Sequence, residues 1–253
     1  MTKVISIFNQ KGGVGKTTTN VNLSAGLAIR GKKVLSIDID PQGNSTSGFG
    51  FNKNSLERTI YDVLIEDYDI NKVICKSELE NLHIIPSNIN LAGAEIELAS
   101  SKYREKTLKE KIDLLDTYYD YILIDCPPSL GLLSLNALTA SNSVLIPIQC
   151  EYYSLEGVGQ LMDTVKLVKK SLNSRLEIEG VLLNMYDGRT NLSIQVVEEV
   201  KKHFGNKVYK TQVPRNVRLA EAPSFGQPIM IYDETSKGSD AYLKVTDEII
   251  KNN

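Results

Sequence analysis

Short apolar runs alternate with amphipathic stretches along most of the chain. The runs Val4 to Phe8, Lys33 to Asp40, Asn81 to Ser87, Tyr121 to Ile124, Ser143 to Gln149 and Ile178 to Asn184 have the length and branched-residue content of strands. Between them, Thr19 to Arg30, Leu132 to Ala140, Ser154 to Leu172 and Ser193 to Phe204 read as helices, with a short strand around Val208. The clearest helical stripe is Leu155, Val158, Leu161, Val165, Val168 and Leu172, spaced by three or four, which reads as a core face. A last helix is expected over Ser236 to Asn253, packed by Tyr242, Val245 and Ile249. This order predicts an α/β fold: a mostly parallel twisted sheet with helices on both faces.

The pattern is weaker elsewhere. Asn44 to Gly50 reads as a loop rich in glycine and serine, Thr59 to Ile65 as one or two helical turns, and Val73 with Ile74 as a short edge strand. Asn90 to Ser100 and Arg104 to Tyr118 read as helices. In the second, cations alternate with acids, which indicates a solvated face rather than a binding strip.

Composition narrows the class. With 253 residues, 42% hydrophobic and 24% charged, one domain over residues 1–253 is expected. A net charge of −2 advertises no global affinity for nucleic acid, so any such binding must be local. Cys75, Cys126 and Cys150 lack metal-site spacing and read as reduced, buried thiols. His83 and His203 lie far apart and support neither a histidine metal site nor a Ser-His-Asp arrangement. The first strand begins by Lys3, and no apolar run approaches a membrane span, so a cytoplasmic protein without a leader is expected.

The chemistry concentrates after the first strand, in Asn9 to Thr18, NQKGGVGKTT. Gly12, Gly13 and Gly15 let the backbone of Lys11 to Thr18, Val14 included, turn its N–H groups toward an anion at a helix N-terminus. Lys16 then lies along the β and γ phosphates of a triphosphate, the Thr17 hydroxyl ligates Mg²⁺, and Thr18 donates to the α phosphate. The usual phosphate loop has a glycine five positions before Gly15. This chain has Gln10 there, followed by a second lysine, Lys11, which is either a solvated loop lysine or a further phosphate contact.

Three carboxylates accompany the loop. Asp38 and Asp40 come at the end of the second strand, at the edge where open α/β sheets bind ligands. Asp40 reads as a turn former before Pro41 or as the group that positions the attacking water. Asp38 reads as a brace for the loop or a contact of Lys11. Asp125 ends the buried strand of DYILIDCPP, beside the phosphate loop, where a carboxylate holds Mg²⁺. Asn184, at the end of a later strand, could bond a base edge or form a turn.

KGGVGKTT resembles the deviant Walker A motif of the ParA/MinD class of P-loop ATPases, and DIDPQGN and EYYSLEG resemble further segments of its chromosome-partitioning ParA (Soj) branch. The resemblance implies a P-loop NTPase fold, ATP and Mg²⁺ as cofactors, and a homodimer in which Lys11 reaches the partner's nucleotide. It favours Asp40 as the water-positioning group, places Pro214 and Asn216 at the adenine, and puts Glu151 to Tyr153 near the dimer interface. It further implies non-specific DNA binding through Arg189 and Arg218, and a ParB-type partner that stimulates slow hydrolysis. Between Tyr186 and Ala220 there are seven cations to three acids, a surplus that could equally be a solvated face.

Two other readings share the loop. A membrane-surface switch of the MinD kind would end in a basic amphipathic helix, but Lys244 and Lys251 are interspersed with Asp247 and Glu248, so no membrane partner is expected. An iron–sulfur reductase would need cysteines in a pattern that Cys126 and Cys150 do not supply.

Overall fold

The computed structural model describes residues 2–151 and 156–253. The chain runs β1 (Lys3–Ile7), α1 (Lys16–Ile29), β2 (Val34–Asp38), α2 (Asn44–Gly48), α3 (Ile60–Ile65), β3 (Cys75–Lys76) and β4 (Leu82–Ile85). It continues with α4 (Ala94–Leu98), α5 (Thr107–Ile112), β5 (Tyr121–Asp125), α6 (Leu132–Ala140), β6 (Ser143–Gln149) and α7 (Glu156–Ser171). The last part comprises β7 (Glu177–Asn184), α8 (Asn191–Phe204), α9 (Val217–Glu221), α10 (Ile229–Tyr232) and α11 (Lys237–Asn252).

One seven-stranded sheet orders these strands β3-β4-β2-β5-β1-β6-β7. All pairings are parallel except β3 with β4. Because β5 separates β1 from β2, and because Asp125 is in register with both Ile7 and Asp38, three strand ends meet at one carboxyl edge. That edge is where loops after parallel strands collect ligands.

Side chains that alternate along the strands feed two cores. On one face Val4, Leu35, Ile37, Ile122 and Ile124 pack with α3, α4, α5, α6, α7 and α8. On the other, Ile5, Ile7, Val34 and Leu123 pack with α1, α10 and α11. Each fully buried Leu or Ile contributes about 1.5–3 kcal/mol of transfer free energy, so the doubly covered sheet is a rigid base for the loops. The expected α/β architecture with helices on both faces is the one observed, and Tyr242, Val245 and Ile249 are buried as the final helix requires.

Several local expectations need correction. Asn44 to Gly50 is not simply a loop, since Asn44–Gly48 forms α2. Gly, Ser and Asn are poor helix formers, so that turn exists because Asp38 accepts from the Thr46 N–H (2.9 Å) and hydroxyl (2.8 Å). The edge strand is Cys75–Lys76, not Val73 and Ile74, because Val73 closes a 3-10 turn over Ile70–Lys72. Asn90 to Ser100 begins as a 3-10 turn (Ile89–Gly93) before α4, and Arg104 to Tyr118 contains only the six residues of α5. In α5 Leu108 is buried, whereas Leu115 only packs partly against the core, too little apolar contact to extend the helix. The first helix starts at Lys16 rather than Thr19, so Lys16 to Thr18 belong to its first turn. Cys126 and Cys150 are buried as expected, but Cys75, on the edge strand, is partly exposed. In the stripe of α7, Val158, Leu161, Val165 and Val168 are buried. Leu155, and the segment Tyr152 to Tyr153 expected near a dimer interface, lie outside the described residues.

Candidate functional site

The loop between β1 and α1 is anchored before it meets any ligand. Asn9 Nδ2 donates to the Pro147 carbonyl (2.8 Å), and Gln10 Nε2 to Thr164 Oγ1 on α7 (3.0 Å). Gln10, standing where a glycine is usual, therefore ties the loop to α7. Nothing in its position along the sequence signalled that role.

Gly13 and Gly15 have positive φ values of 75° and 90°, and Gly15 caps α1 in the left-handed region. The first N–H groups of α1 are thereby left for an anion at the positive end of the helix. Lys16 is buried, and its Nζ donates to the Lys11 carbonyl (3.0 Å). Burial pushes the Lys16 ammonium down from its ordinary pKa, against the pull of Asp125, Cys126 and Asp40. A cation with so little water around it gains strongly from a phosphate. Lys11 is half-buried, and its N–H donates to Asn9 Oδ1 (3.0 Å). Gly12 is exposed and Val14 is buried beneath the loop.

Asp125 is fully buried and accepts from Ser45 Oγ at Oδ2 (2.7 Å). Burial first, and then Asp38, push its carboxyl well above the usual range, while the Ser45 and Thr17 hydroxyls act against that. Ser45 is held in turn by Asn20 Nδ2 (3.0 Å), which also donates to Ser36 Oγ (2.8 Å). Asp38 is raised for the same first reason, burial, despite its bonds from Thr46 and Asp40. Asp38 braces its own segment: its Oδ1 accepts from the Asp40 N–H (3.0 Å) and its Oδ2 from Thr46. Asp40 is 7% exposed and accepts from the Gln42 N–H (2.8 Å), so it makes a turn, and its charge acts on the Lys16 ammonium.

Among the described residues, Asp125 Oδ1, Asn20 Oδ1 and Asn184 Oδ1 are buried oxygens around this loop without a hydrogen-bond partner. A buried acceptor without a protein partner is open to a water, an ion or a ligand. The hydroxyl of Thr17 and the free oxygen of Asp125 are hard donors of the kind Mg²⁺ takes, completed by phosphate and water.

Beside the loop lies a cleft of about 380 Å³ lined by Gly15, Thr18, Asn184, Pro214, Asn216 and Tyr242, among others. Asn184 donates to the Val14 carbonyl (2.9 Å) and Thr19 Oγ1 (3.3 Å), which leaves its Oδ1 free. Asn216 Oδ1 is committed to capping α9, accepting from the Arg218 N–H (2.8 Å). A larger groove of about 920 Å³ lies around the amino end of β7, where Lys3 pairs with Glu179 and Glu248 accepts from the Lys210 and Thr211 N–H groups. Its acids are spent internally, and it is remote from the loop.

Arg189 and Arg218 are exposed and self-paired. Arg189 makes two bonds to Asp187 (2.8 and 2.7 Å), and Arg218 meets Glu221 (2.9 Å) and Asp233 (3.3 Å). The residues missed from sequence are Gln10, Asn20, Ser45, Thr46 and Ser87. Each is a small or neutral polar residue whose importance comes from a partner distant in sequence.

Residues 2–178 match the AAA domain family. The chain is 60% identical to the sporulation initiation inhibitor protein Soj of Bacillus subtilis over 252 residues, 100% of each chain. It is 51% identical to the chromosome partitioning protein ParA of Myxococcus xanthus, covering 98% of this chain and 88% of that one. Its fold resembles the cobyrinic acid a,c-diamide synthase of Mycobacterium smegmatis, solved with an ATP analogue and magnesium. There the TM-score is 0.88 at 36% identity, covering 100% of this chain and 96% of that one. A lysine-bearing phosphate loop, a buried strand-end aspartate beside it and this degree of identity agree: the chain belongs to the Soj/ParA family of chromosome-partitioning P-loop ATPases.

Proposed function

We propose that the chain is a switch that binds and hydrolyses Mg-ATP, dimerises around the nucleotide and holds DNA in that state. The observation that carries this reading is the convergence of buried Lys16, Asp125 and Asp40 at one carboxyl edge. Loop N–H groups from Gly12 to Thr18 and the Lys16 ammonium hold the phosphates. The base takes the cleft between Asn184 and residues 213–220, where Asn184 Oδ1 accepts from its exocyclic amine. Magnesium, held by Thr17 and Asp125, would neutralise charge on the phosphate oxygens. Asp40 orients the attacking water. With positioning as the main device and no strong base, turnover is slow.

Lys11 reaches across to the partner's phosphates, and Arg189 with Arg218 contact backbone phosphate without reading sequence. A ParB-type partner stimulates hydrolysis and so releases the DNA, as fits the partitioning role of the relatives. The final helix supports DNA over lipid, because the apolar face of α11 (Ala241, Tyr242, Val245, Ile249) is buried in the core.

Three measurements test the reading together. Lys16→Ala loses nucleotide binding. Lys11→Ala binds nucleotide as a monomer and shows no ATP-dependent dimer by light scattering. The parent is retained on DNA with ATP but not with ADP or without nucleotide. A normal dimer in Lys11→Ala, or retention independent of ATP, overturns it.

A further inference from the structure

We propose that Thr46 is a positioning residue for hydrolysis: it fixes the backbone that carries Asp40. The proposal rests on the reading of Asp40 as the group that orients water.

Thr46 is fully buried on α2, and its hydroxyl makes two bonds at once. It donates to Asp38 Oδ2 (2.8 Å) and accepts from the Ser87 N–H (2.9 Å). Both partners grip Asp40 from opposite sides. Asp38 Oδ1 accepts from the Asp40 N–H (3.0 Å), and Ser87 Oγ donates to the Asp40 carbonyl (2.8 Å). The peptide units on either side of Asp40 are thus bonded to two residues that Thr46 itself joins, through the Asp38 carboxylate and the Ser87 N–H. Among the described residues, the Asp40 carboxylate then has one hydrogen bond, from the Gln42 N–H (2.8 Å).

Two further observations show that this arrangement is tight. A Cβ on Gly43 would stand 2.8 Å from the Ser87 carbonyl, so the turn after Asp40 lies directly on Ser87. Ser87 itself follows Pro86, whose carbonyl accepts from the Ile60 N–H (2.9 Å) at the start of α3. Ser87 is therefore anchored to β4 and α3, and the Asp40 turn is referred to them. Among the described residues the hydrogen bonds of Thr46 run to Asp38 and Ser87 and not to the phosphate loop or Asp125, and the backbone N–H at position 46, which seats α2 and its Ser45, is kept by any side-chain change, so the effect of the hydroxyl falls on the Asp40 turn and the chemical step.

Thr46→Val keeps the shape and removes both hydroxyl bonds, leaving Asp38 short of a donor and the Ser87 N–H without its acceptor. Misplacing a water-orienting carboxylate by a fraction of an ångström lowers kcat by about 10- to 100-fold. The expected result for Thr46→Val is a kcat reduced on that scale, with KM for ATP and ADP affinity near those of the parent. Thr46→Ser, which keeps the hydroxyl, restores kcat. Ser87→Ala, which removes only the bond to the Asp40 carbonyl, lowers kcat in the same direction by less and serves as the second variant should Thr46→Val fold poorly.

Asp40→Asn and the double variant Asp40→Asn with Thr46→Val separate the proposal from the reading beneath it. If Asp40→Asn keeps the parent kcat, the water-orienting reading is wrong. If Asp40→Asn abolishes turnover while Thr46→Val and Ser87→Ala turn over like the parent, only the positioning proposal is wrong. It is also wrong if Thr46→Val lowers kcat by the same factor in the Asp40→Asn background, or if Thr46→Ser is as impaired as Thr46→Val.

Discussion

Asn184 lies directly over Gly15: a Cβ built on the glycine would stand 2.7 Å from the Asn184 amide nitrogen. That nitrogen already bonds the Val14 carbonyl, so the end of β7 fixes the turn that opens α1. Gly15→Ala meets two obstacles, the Asn184 amide and a φ of 90°. The second costs about 1–3 kcal/mol for a residue with a Cβ. Nucleotide affinity, measured by titration with a fluorescent ATP analogue, is expected to fall at least tenfold, about 1.4 kcal/mol, in line with that strain. Adding Asn184→Ala removes the first obstacle and not the second; because that change also removes the proposed base contact, the double variant is compared with Asn184→Ala alone and stays impaired relative to it. Full recovery there would show that crowding, not backbone conformation, demands the glycine.

Far from the nucleotide, Glu179 ties the amino end of the sheet together. It receives Lys3 (2.9 Å), Ser143 Oγ (2.6 Å) and Asn253 Nδ2 (2.6 Å). Burial pushes its carboxyl up, but these three partners outweigh burial and hold it below the usual range. A carboxyl depressed on folding contributes stability above its unfolded pKa, roughly 4.3, and loses that contribution as pH falls through the folded value. Glu179→Gln is therefore expected to lower Tm at pH 7 by a few degrees, corresponding to about 1–2 kcal/mol. The two melting curves converge as pH drops below about 4. A constant difference across pH would mean that packing, and not charge, is what the variant removed.

Much of this was legible because strong periodicity and strong chemistry coincide. The strands ending in Asp38, Asp125 and Asn184 run into their ends through buried, largely apolar residues, and α6 and β6 have the bounds their patterns suggest. The phosphate loop is local in sequence, so its spacing carries its geometry. What escaped was held by distant partners. Asn44–Gly48 has almost no helix propensity and becomes α2 through Ser45 to Asp125 and Thr46 to Asp38, bonds between residues 80 and 8 positions apart. Ser87 looked like the end of a strand, and only the folded chain brings it to Asp40. Between Arg104 and Tyr118 the spacing of Leu108, Ile112 and Leu115 suggests a longer helix than α5, but only Leu108 is buried and Ile112 and Leu115 pack partly against the core, so the pattern overstates the helix.

Arg189 and Arg218 present a second kind of relationship, in which each arginine proposed to meet DNA already holds an acid. Exposed pairs of this sort are weak and yield to a polyanion, which brings many phosphates at once. Replacing both arginines with alanine is expected to leave ATP-dependent dimerisation intact and to weaken DNA retention. The slope of log affinity against log salt should fall in magnitude by about 2, close to one unit for each phosphate that the variant no longer neutralises. Asp187→Asn frees Arg189 and is expected to strengthen retention at low salt. An unchanged salt slope in the double alanine variant would place the DNA surface elsewhere on the protein.

The seating of α1 depends on a second close approach, between Gly26 and Thr246 of α11. A Cβ on Gly26 would overlap Thr246 Oγ1, a hydroxyl fixed by its bond to the Tyr242 carbonyl (2.8 Å). The two helices pack closely here, with Thr19 Oγ1 also bonded to the Tyr242 hydroxyl (3.2 Å). Gly26→Ala forces α11 away or tilts α1, at a cost of about 1–3 kcal/mol. Because α1 begins at Lys16, a tilt carries with it the turn proposed to hold phosphate. Thermal melting should show a Tm lower by several degrees, together with weaker nucleotide binding. Thr246→Ala removes the overlapping hydroxyl, so the double variant is expected to regain both stability and affinity relative to Gly26→Ala, the non-additivity that a direct contact produces. Strictly additive losses would mean that the helices accommodate the methyl group independently of Thr246, and that the position of Lys16 is set by the sheet alone.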